Sequence, residues 1–300
     1  MFNIIGKRPV FFIITAVLLS GSAIALAVLG LEPGIDFSSG SITTLSFEQA
    51  VEATDVEDEL TALGFSGRVD EWQGDIAIHT VRLTPAEKTG IEEGLEAKFG
   101  PAEEMGFESV DPVIAEETAR TAGIAVGVSA VGILIYLTWA FRRMPKPLHY
   151  GVCAVIALVH DLVVVLGIFS ILGGVFNWEI NLMFITGILA VIGYSVNNTV
   201  VVFDRIRENV QRGISPSFNV VINTSLVETL SRSLNTSLTT LAVVLALVLF
   251  VGVSIQNFAV VLLIGVIAGT YSSLFIAPMI LAVWEKGNWR GFIQRPTLTT

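Results

Sequence analysis

The sequence predicts a helical membrane protein with six transmembrane helices and one small α+β domain outside the membrane. Three observations carry this. Hydrophobic residues make up 53% of the 300 and charged residues only 15%, against about a quarter charged in a soluble domain. The mean hydropathy is +0.73, so a bilayer is the solvent that suits most of the chain. Six apolar runs near the ~20 residues that a spanning helix needs fall at about 9–30, 121–141, 150–173, 181–203, 233–253 and 258–284. Between the first two runs, residues 31–120 hold 21 of the 27 acids but only 5 of the 17 bases. An acidic module therefore interrupts a mildly basic membrane protein.

The first run, in segment 1–30, follows Lys7 and Arg8. A cleaved signal has an apolar core of roughly 7–15 residues, and this run is longer, so an uncleaved anchor is expected. Segment 31–120 then alternates strands and helices. Ile42–Glu48 alternates as a strand does. Thr54 and Glu57 have capping-box spacing, and their helix ends near Gly64. Gly67–Trp72 and Asp75–Leu83 read as strands joined at Gln73-Gly74. Thr84 is a second N-cap, with Pro85 at the first helical position and Glu87 closing the box. That helix stops at Gly100, and a last strand fits about Met105–Val110. The order βαββαβ predicts a ferredoxin-like fold. Five further spans occupy 121–284, and a tail covers 285–300.

Orientation follows from the bases. With the N-terminus inside, 31–120, 174–180 and 254–257 are outside, while 142–149, 204–222 and the tail are inside. Of the 12 bases outside the acidic module, all but Arg232 then lie inside, and the two later outer loops have none. The prediction is a multi-pass membrane protein with both termini cytoplasmic.

Ionisable groups inside spans are costly and mark candidate sites. His160 and Asp161 lie in the third span, and Asp161 is about 18 Å from that span's inner end at 1.5 Å per residue. It reads equally as a proton or ion relay and as a carboxylate tying two helices together. The fourth span carries Tyr194, Ser195, Asn197, Asn198 and Thr199. The fifth carries Glu228, Arg232, Asn235 and Thr239 on one stripe, with Arg232 at the depth of Asn198. These form either a polar cluster along a water-filled path, or interhelical hydrogen bonds with Arg232 snorkelling to the headgroups. An Asn cannot titrate, so this cluster alone is no proton wire. The acidic helices of the module read most simply as solvated faces.

Several chemistries find no support. There is no G-x-x-x-x-G-K-[ST] loop for ATP, and no H-E-x-x-H. The three His are scattered at 79, 149 and 160, which argues against a zincin-type metalloprotease. Gly193-Tyr194-Ser195 lacks the closing Gly of a serine-nucleophile turn. Cys153 stands alone, so no intrachain disulfide forms. No enzyme, metal, cofactor or nucleic-acid partner is expected.

Several segments together resemble the SecF family, whose members pair with SecD in a protein-export accessory complex. Gly34-Ile35-Asp36-Phe37-Ser38-Ser39-Gly40 is similar to that family's G-I-D-F-x-G-G signature, with Ser39 replacing the first closing glycine. His160-Asp161 matches a family H-D. The run Tyr194-Ser195-Val196-Asn197-Asn198-Thr199, continuing through Asp204 and Arg205 to Asn209, resembles its fourth-span signature. Ser231-Arg232-Ser233-Leu234-Asn235-Thr236-Ser237-Leu238-Thr239-Thr240 resembles its fifth.

The resemblance implies membership of the RND-type transporter superfamily and a location in a prokaryotic cell membrane. It implies as partners SecD, the SecYEG translocon, the translocating polypeptide and membrane lipid. It also implies use of the proton gradient to drive or complete translocation on the outer face, as well as structural roles for Gly34, Asp36, Phe37, Gly40, Asp204 and Arg205. In the family the position of Asn198 is usually Asp, a proposed relay site acting with the Arg matched by Arg232 and a SecD carboxylate. Here the relay would lean on the SecD carboxylate. The competing functions are half of an RND-type exporter of lipids or small molecules, an intramembrane enzyme, and a passive scaffold in the secretion complex.

Overall fold

The computed structural model describes residues 3–72, 74–250 and 253–285. In chain order the elements are α1 (Arg8–Val28), β1 (Glu32–Pro33), α2 (Ile35–Ser38), β2 (Gly40–Phe47), α3 (Ala53–Ala62), β3 (Gly67–Trp72), β4 (Asp75–Thr80), α4 (Pro85–Phe99), β5 (Ala102–Val110), α5 (Pro112–Ala140), α6 (Pro147–Phe176), β6 (Glu179–Ile180), α7 (Leu182–Gln211), α8 (Phe218–Phe250), α9 (Val253–Phe275) and α10 (Ala277–Glu285). The chain divides into two compact units, Pro33–Gly123 and the remainder.

The smaller unit is built on a four-stranded antiparallel sheet in the order β3-β4-β2-β5. β4 sends Ile76 and Ile78 to one face, and β2 adds Leu45. α3 covers that face with Val56 and Leu60, and α4 with Ile91 and Leu95, each an i, i+4 pair. α4 begins with the expected capping box. Glu87 N–H donates to Thr84 Oγ1, and Thr84 N–H donates to Glu87 Oε2 at 2.8 Å. Hydrogen bonds from the Thr84 hydroxyl and then its N–H hold the Glu87 carboxyl below its usual range. Gly100 ends the helix at φ 92°. α3 differs from expectation. Its N-cap is Glu52 with no side-chain cap, and Thr54 lies inside the first turn. The spacing was right for a box two residues too late. The last strand also starts earlier, at Ala102, because pairing with β2 continues through a bulge between Thr44 and Leu45. The second strand of the β3–β4 hairpin ends at Thr80 rather than Leu83. Gln73 of the expected turn lies outside the described residues.

Ser39 links α2 to β2 at φ 67° and ψ 160°, a region that only glycine occupies freely. Holding a side chain there costs about 1–3 kcal/mol, of which a glycine returns roughly 0.5–1 kcal/mol in chain entropy. Ser39→Gly is therefore expected to stabilise the protein by about 1 kcal/mol, read as a higher midpoint of thermal unfolding in detergent. An unchanged or lower midpoint would show that the backbone here is unstrained.

In the larger unit six helices, the last made of α9 and α10, are long and apolar enough to cross a membrane. α7 and α9 run in the same direction with matched small and large residues. A Cβ on Gly187 would meet Val261, one on Gly265 would meet Val191, and one on Gly269 would meet Ser195. Each step is four residues on both helices, the repeat of the i±4 ridges that interlock in close helix packing. α1 and α6 pair likewise. A Cβ on Gly167 would lie 2.3 Å from Ser22 Cβ, and Ser170 Oγ donates to the Ala25 carbonyl at 2.9 Å. Phe141, just past the end of α5, stacks on Tyr150 of α6, and both meet Phe203 of α7 edge-on.

Two loops are shorter than hydropathy implied. The expected loop 204–222 contracts to 212–217, and 254–257 belongs to α9. An apolar run ends where polar residues begin, but backbone hydrogen bonds continue wherever those residues find partners. Arg205 reaches Glu228 at 2.7 Å and also pairs with Glu208, while Asn209 Nδ2 donates to Ser225 Oγ and Glu228 Oε2. These contacts carry α7 and α8 past their apolar limits. The expected tail beyond Glu285 lies outside the described residues.

Candidate functional site

The polar centre of the larger unit is Asp161, fully buried on α6. Its Oδ2 accepts from Ser195 Oγ of α7 at 2.5 Å and from Ser272 Oγ of α9 at 2.8 Å. Its Oδ1 is hydrogen-bonded to His160 Nδ1 at 3.0 Å. One carboxylate thus ties three helices, and the close approach of Gly269 to Ser195 lets α7 and α9 both reach it. His160 is also buried, 6.0 Å from the Tyr271 ring. Tyr271 OH donates to the Phe11 carbonyl at 2.8 Å and lies 3.1 Å from Thr15 Oγ1 on α1.

A second polar chain runs across α7, α8 and α9. Tyr194 OH donates to Ser237 Oγ at 2.9 Å, and Thr270 Oγ1 donates to the same oxygen at 2.7 Å. One turn on, Asn198 and Ser233 are buried, each with a polar atom lacking a hydrogen-bond partner among the described residues.

The rest of the fifth-span stripe points elsewhere. Arg232, Asn235 and Thr239 are exposed, and so is Asn197 on α7. Among the described residues Thr239 Oγ1 bonds only backward, to the carbonyls of Asn235 and Thr236. The chain therefore buries Asn198 and leaves Arg232 outward. A polar face remains uncovered on helices that are otherwise apolar.

Asp204 and Arg205 lie beyond this level on α7. Asp204 pairs with Arg207 at 2.5 Å, and Arg205 joins α7 to α8 through Glu228. In the smaller unit Gly34 precedes the single turn α2. Asp36 and Phe37 are half-buried within it, and Gly40 begins β2. A Cβ on Gly40 would lie 2.7 Å from the Thr80 carbonyl oxygen, so the strands approach there only without one.

Sequence reasoning passed over Ser272, Thr270, Tyr271 and Thr15. The run Thr270-Tyr271-Ser272-Ser273 was visible as a polar break in the sixth apolar stretch. Serine and threonine satisfy themselves within a helix so readily that the break alone signals little.

Residues 91–287 match the model of the protein export membrane protein SecD/SecF C-terminal family, and residues 24–51 match the SecD/SecF GG motif. The chain belongs to the SecD/SecF family. Gly34 and Gly40 lie in the matched GG segment, and all of α6 to α10 in the matched C-terminal segment. A protein translocase subunit SecF of Thermobaculum terrenum is 38% identical over 309 residues, covering 98% of each chain. A protein translocase subunit SecDF of Bacillus subtilis is 32% identical over 93% of this chain and 38% of its own length. The crystal structure of SecDF from Thermus thermophilus, described as a translocon-associated membrane protein, superposes with a TM-score of 0.85 at 31% identity. It is covered over 95% of this chain and 39% of that one, so this chain spans about two-fifths of the SecDF polypeptide. With six spanning-length helices, this SecD/SecF family member is a multi-pass membrane protein.

Proposed function

We propose that the chain is the SecF-type subunit of a protein-export complex. It pairs with a SecD-type chain beside the SecYEG channel and uses the proton gradient to drive or complete movement of the exported polypeptide on the outer face. The observation that carries this is the exposed polar face of Arg232, Asn235, Thr239 and Asn197 on helices built for lipid. Polar side chains facing hydrocarbon are costly, and a second polar helix face covers them. Names of relatives that fuse SecD and SecF in one chain support the same pairing. The positive-inside count supports cytoplasmic termini and an acidic unit on the outer side. The strand order β3-β4-β2-β5, with both helices on one face, supports a ferredoxin-like assignment for that unit. Asp161, Asn197, Asn198, Arg232, Asn235 and Thr239 are the residues proposed to carry or line the proton path.

Asn198 favours a second reading, a passive scaffold, because an amide holds no titratable proton. One experiment separates the two. Export of a secreted reporter is measured in vesicles containing the chain and its SecD-type partner, with and without an imposed proton gradient. A motor gives gradient-stimulated export, and a scaffold gives none. Asn198→Asp is expected to increase the gradient-dependent part. If only the Asp form responds to the gradient, the native chain does not run a relay.

A further inference from the structure

Asp161 is the one carboxylate near the middle of a spanning helix among the described residues. Those at Asp204, Glu208 and Glu228 lie closer to helix ends and pair with arginines. Asn198 cannot titrate, and an arginine such as Arg232 stays charged. A titratable site deep in this chain therefore rests on Asp161 and its neighbour.

That neighbour is placed to exchange a proton. His160 Nδ1 is engaged by Asp161, and His160 Nε2 is buried with no hydrogen-bond partner among the described residues. The contacts of Ser22 with Gly167 and of Ala25 with Ser170 share one offset of 145 residues. Carried along the α1–α6 pair, this offset brings Thr15 level with His160. Thr15 and Tyr271 are hydrogen-bonded to each other, and the Tyr271 ring lies beside the imidazole. The Tyr271 ring on α9 thus stands beside the imidazole, and no group of the described residues is within hydrogen-bond distance of Nε2. The groups facing the pair are Ser195 on α7 and Ser272 and the Tyr271 ring on α9, with Thr15 on α1 at the same level, and none of them is charged. The nearest charge on α1 is Arg8, two turns away.

We propose that His160 and Asp161 form a proton-binding pair within this chain, separate from the Asn198 and Arg232 face. The proton enters and leaves at His160 Nε2, the buried ring nitrogen with no hydrogen-bond partner among the described residues. Empty, the pair is a neutral imidazole donating Nδ1–H to an anionic carboxylate. Loaded, Nε2 carries the added proton and the pair is an imidazolium–carboxylate couple of zero net charge. Ser195 and Ser272 hold the same carboxylate, so each change of charge acts directly on α7 and α9. This rests on the proton-driven reading above.

The test has two arms. Infrared difference spectra of the full chain with its SecD-type partner, with isotope-labelled histidine, are recorded between about pH 5 and 8. A histidine band that titrates and is altered in Asp161→Asn supports the pair; no titrating buried histidine overturns it. In the export assay, Asp161→Asn and His160→Gln are expected to lose the gradient-dependent part of export while extracting as the same complex. Full gradient stimulation in both would also overturn the proposal. If the unsubstituted protein shows no gradient dependence, the motor reading falls, and the infrared titration still decides the pair. It also decides if either variant fails to assemble.

Discussion

Gly265→Ala is expected to destabilise the membrane unit by about 1–3 kcal/mol. The added Cβ would lie 2.1 and 2.6 Å from the Val191 methyl carbons and 2.9 Å from Val191 Cβ. Rotating the valine moves its methyls but not its Cβ, so α7 and α9 have to part. Their separation would loosen the Asp161 clamp, because Ser195 lies one turn from Val191 and Ser272 two turns from Gly265. The check is thermal unfolding in detergent of the single variants Gly265→Ala and Val191→Ala and of the double variant. Val191→Ala should cost its own packing and relieve the two methyl contacts but not the 2.9 Å approach of its Cβ, so the double variant recovers only part of what Gly265→Ala loses. Residues in contact show such coupling, and distant ones do not. A silent Gly265→Ala would mean that the two helices do not pack in this register.

Asp161→Ala should cost about 3 kcal/mol, because it orphans the Ser195 hydroxyl and His160 Nδ1 inside the protein and leaves the Ser272 hydroxyl only its longer bond to the Gly269 carbonyl. Asp161→Asn should cost far less. Its amide oxygen accepts both serine hydroxyls, and a tautomer change lets His160 Nδ1 accept from the amide nitrogen. Unfolding midpoints of the two variants, measured side by side, give the ranking. Equal losses would show that the negative charge itself holds the helices, and no loss in either would show that the serines find other partners.

Features that depend on local pattern were legible in the residues. Thr84, Pro85 and Glu87 announced the start of α4, because a capping box is closed within four positions. Gly64 and Gly100 marked helix ends, and both adopt positive φ. The same logic misplaced the start of α3, where Thr54 and Glu57 had the right spacing but the chain entered the helix earlier. Helix lengths were underestimated wherever polar side chains found partners across helices. The pairing of Arg205 with Glu228 is invisible to a hydropathy window.

The candidate site was legible as residue types but not as an arrangement. Asp161, Asn198 and Arg232 stood out because charge and amide groups are rare in spans. Whether they converge depends on which way each helix turns. Asn198 turns inward and Arg232 outward, a matter of rotation that an expected depth does not fix. The partners of Asp161 lie 34 and 111 residues away, beyond the reach of any local pattern.

From the sequence alone came the six apolar spans, the acidic module between the first two, and the absence of ATP and zincin motifs. These are sums and spacings along the chain, set by the bilayer's thickness and by the cost of burying charge. From the folded chain came the clamp on Asp161, the unpartnered Nε2 of His160 and the polar face left open on α8. Each depends on helix rotation and register. Those are set by glycines meeting side chains on distant helices, an interaction that exists only once the helices have packed.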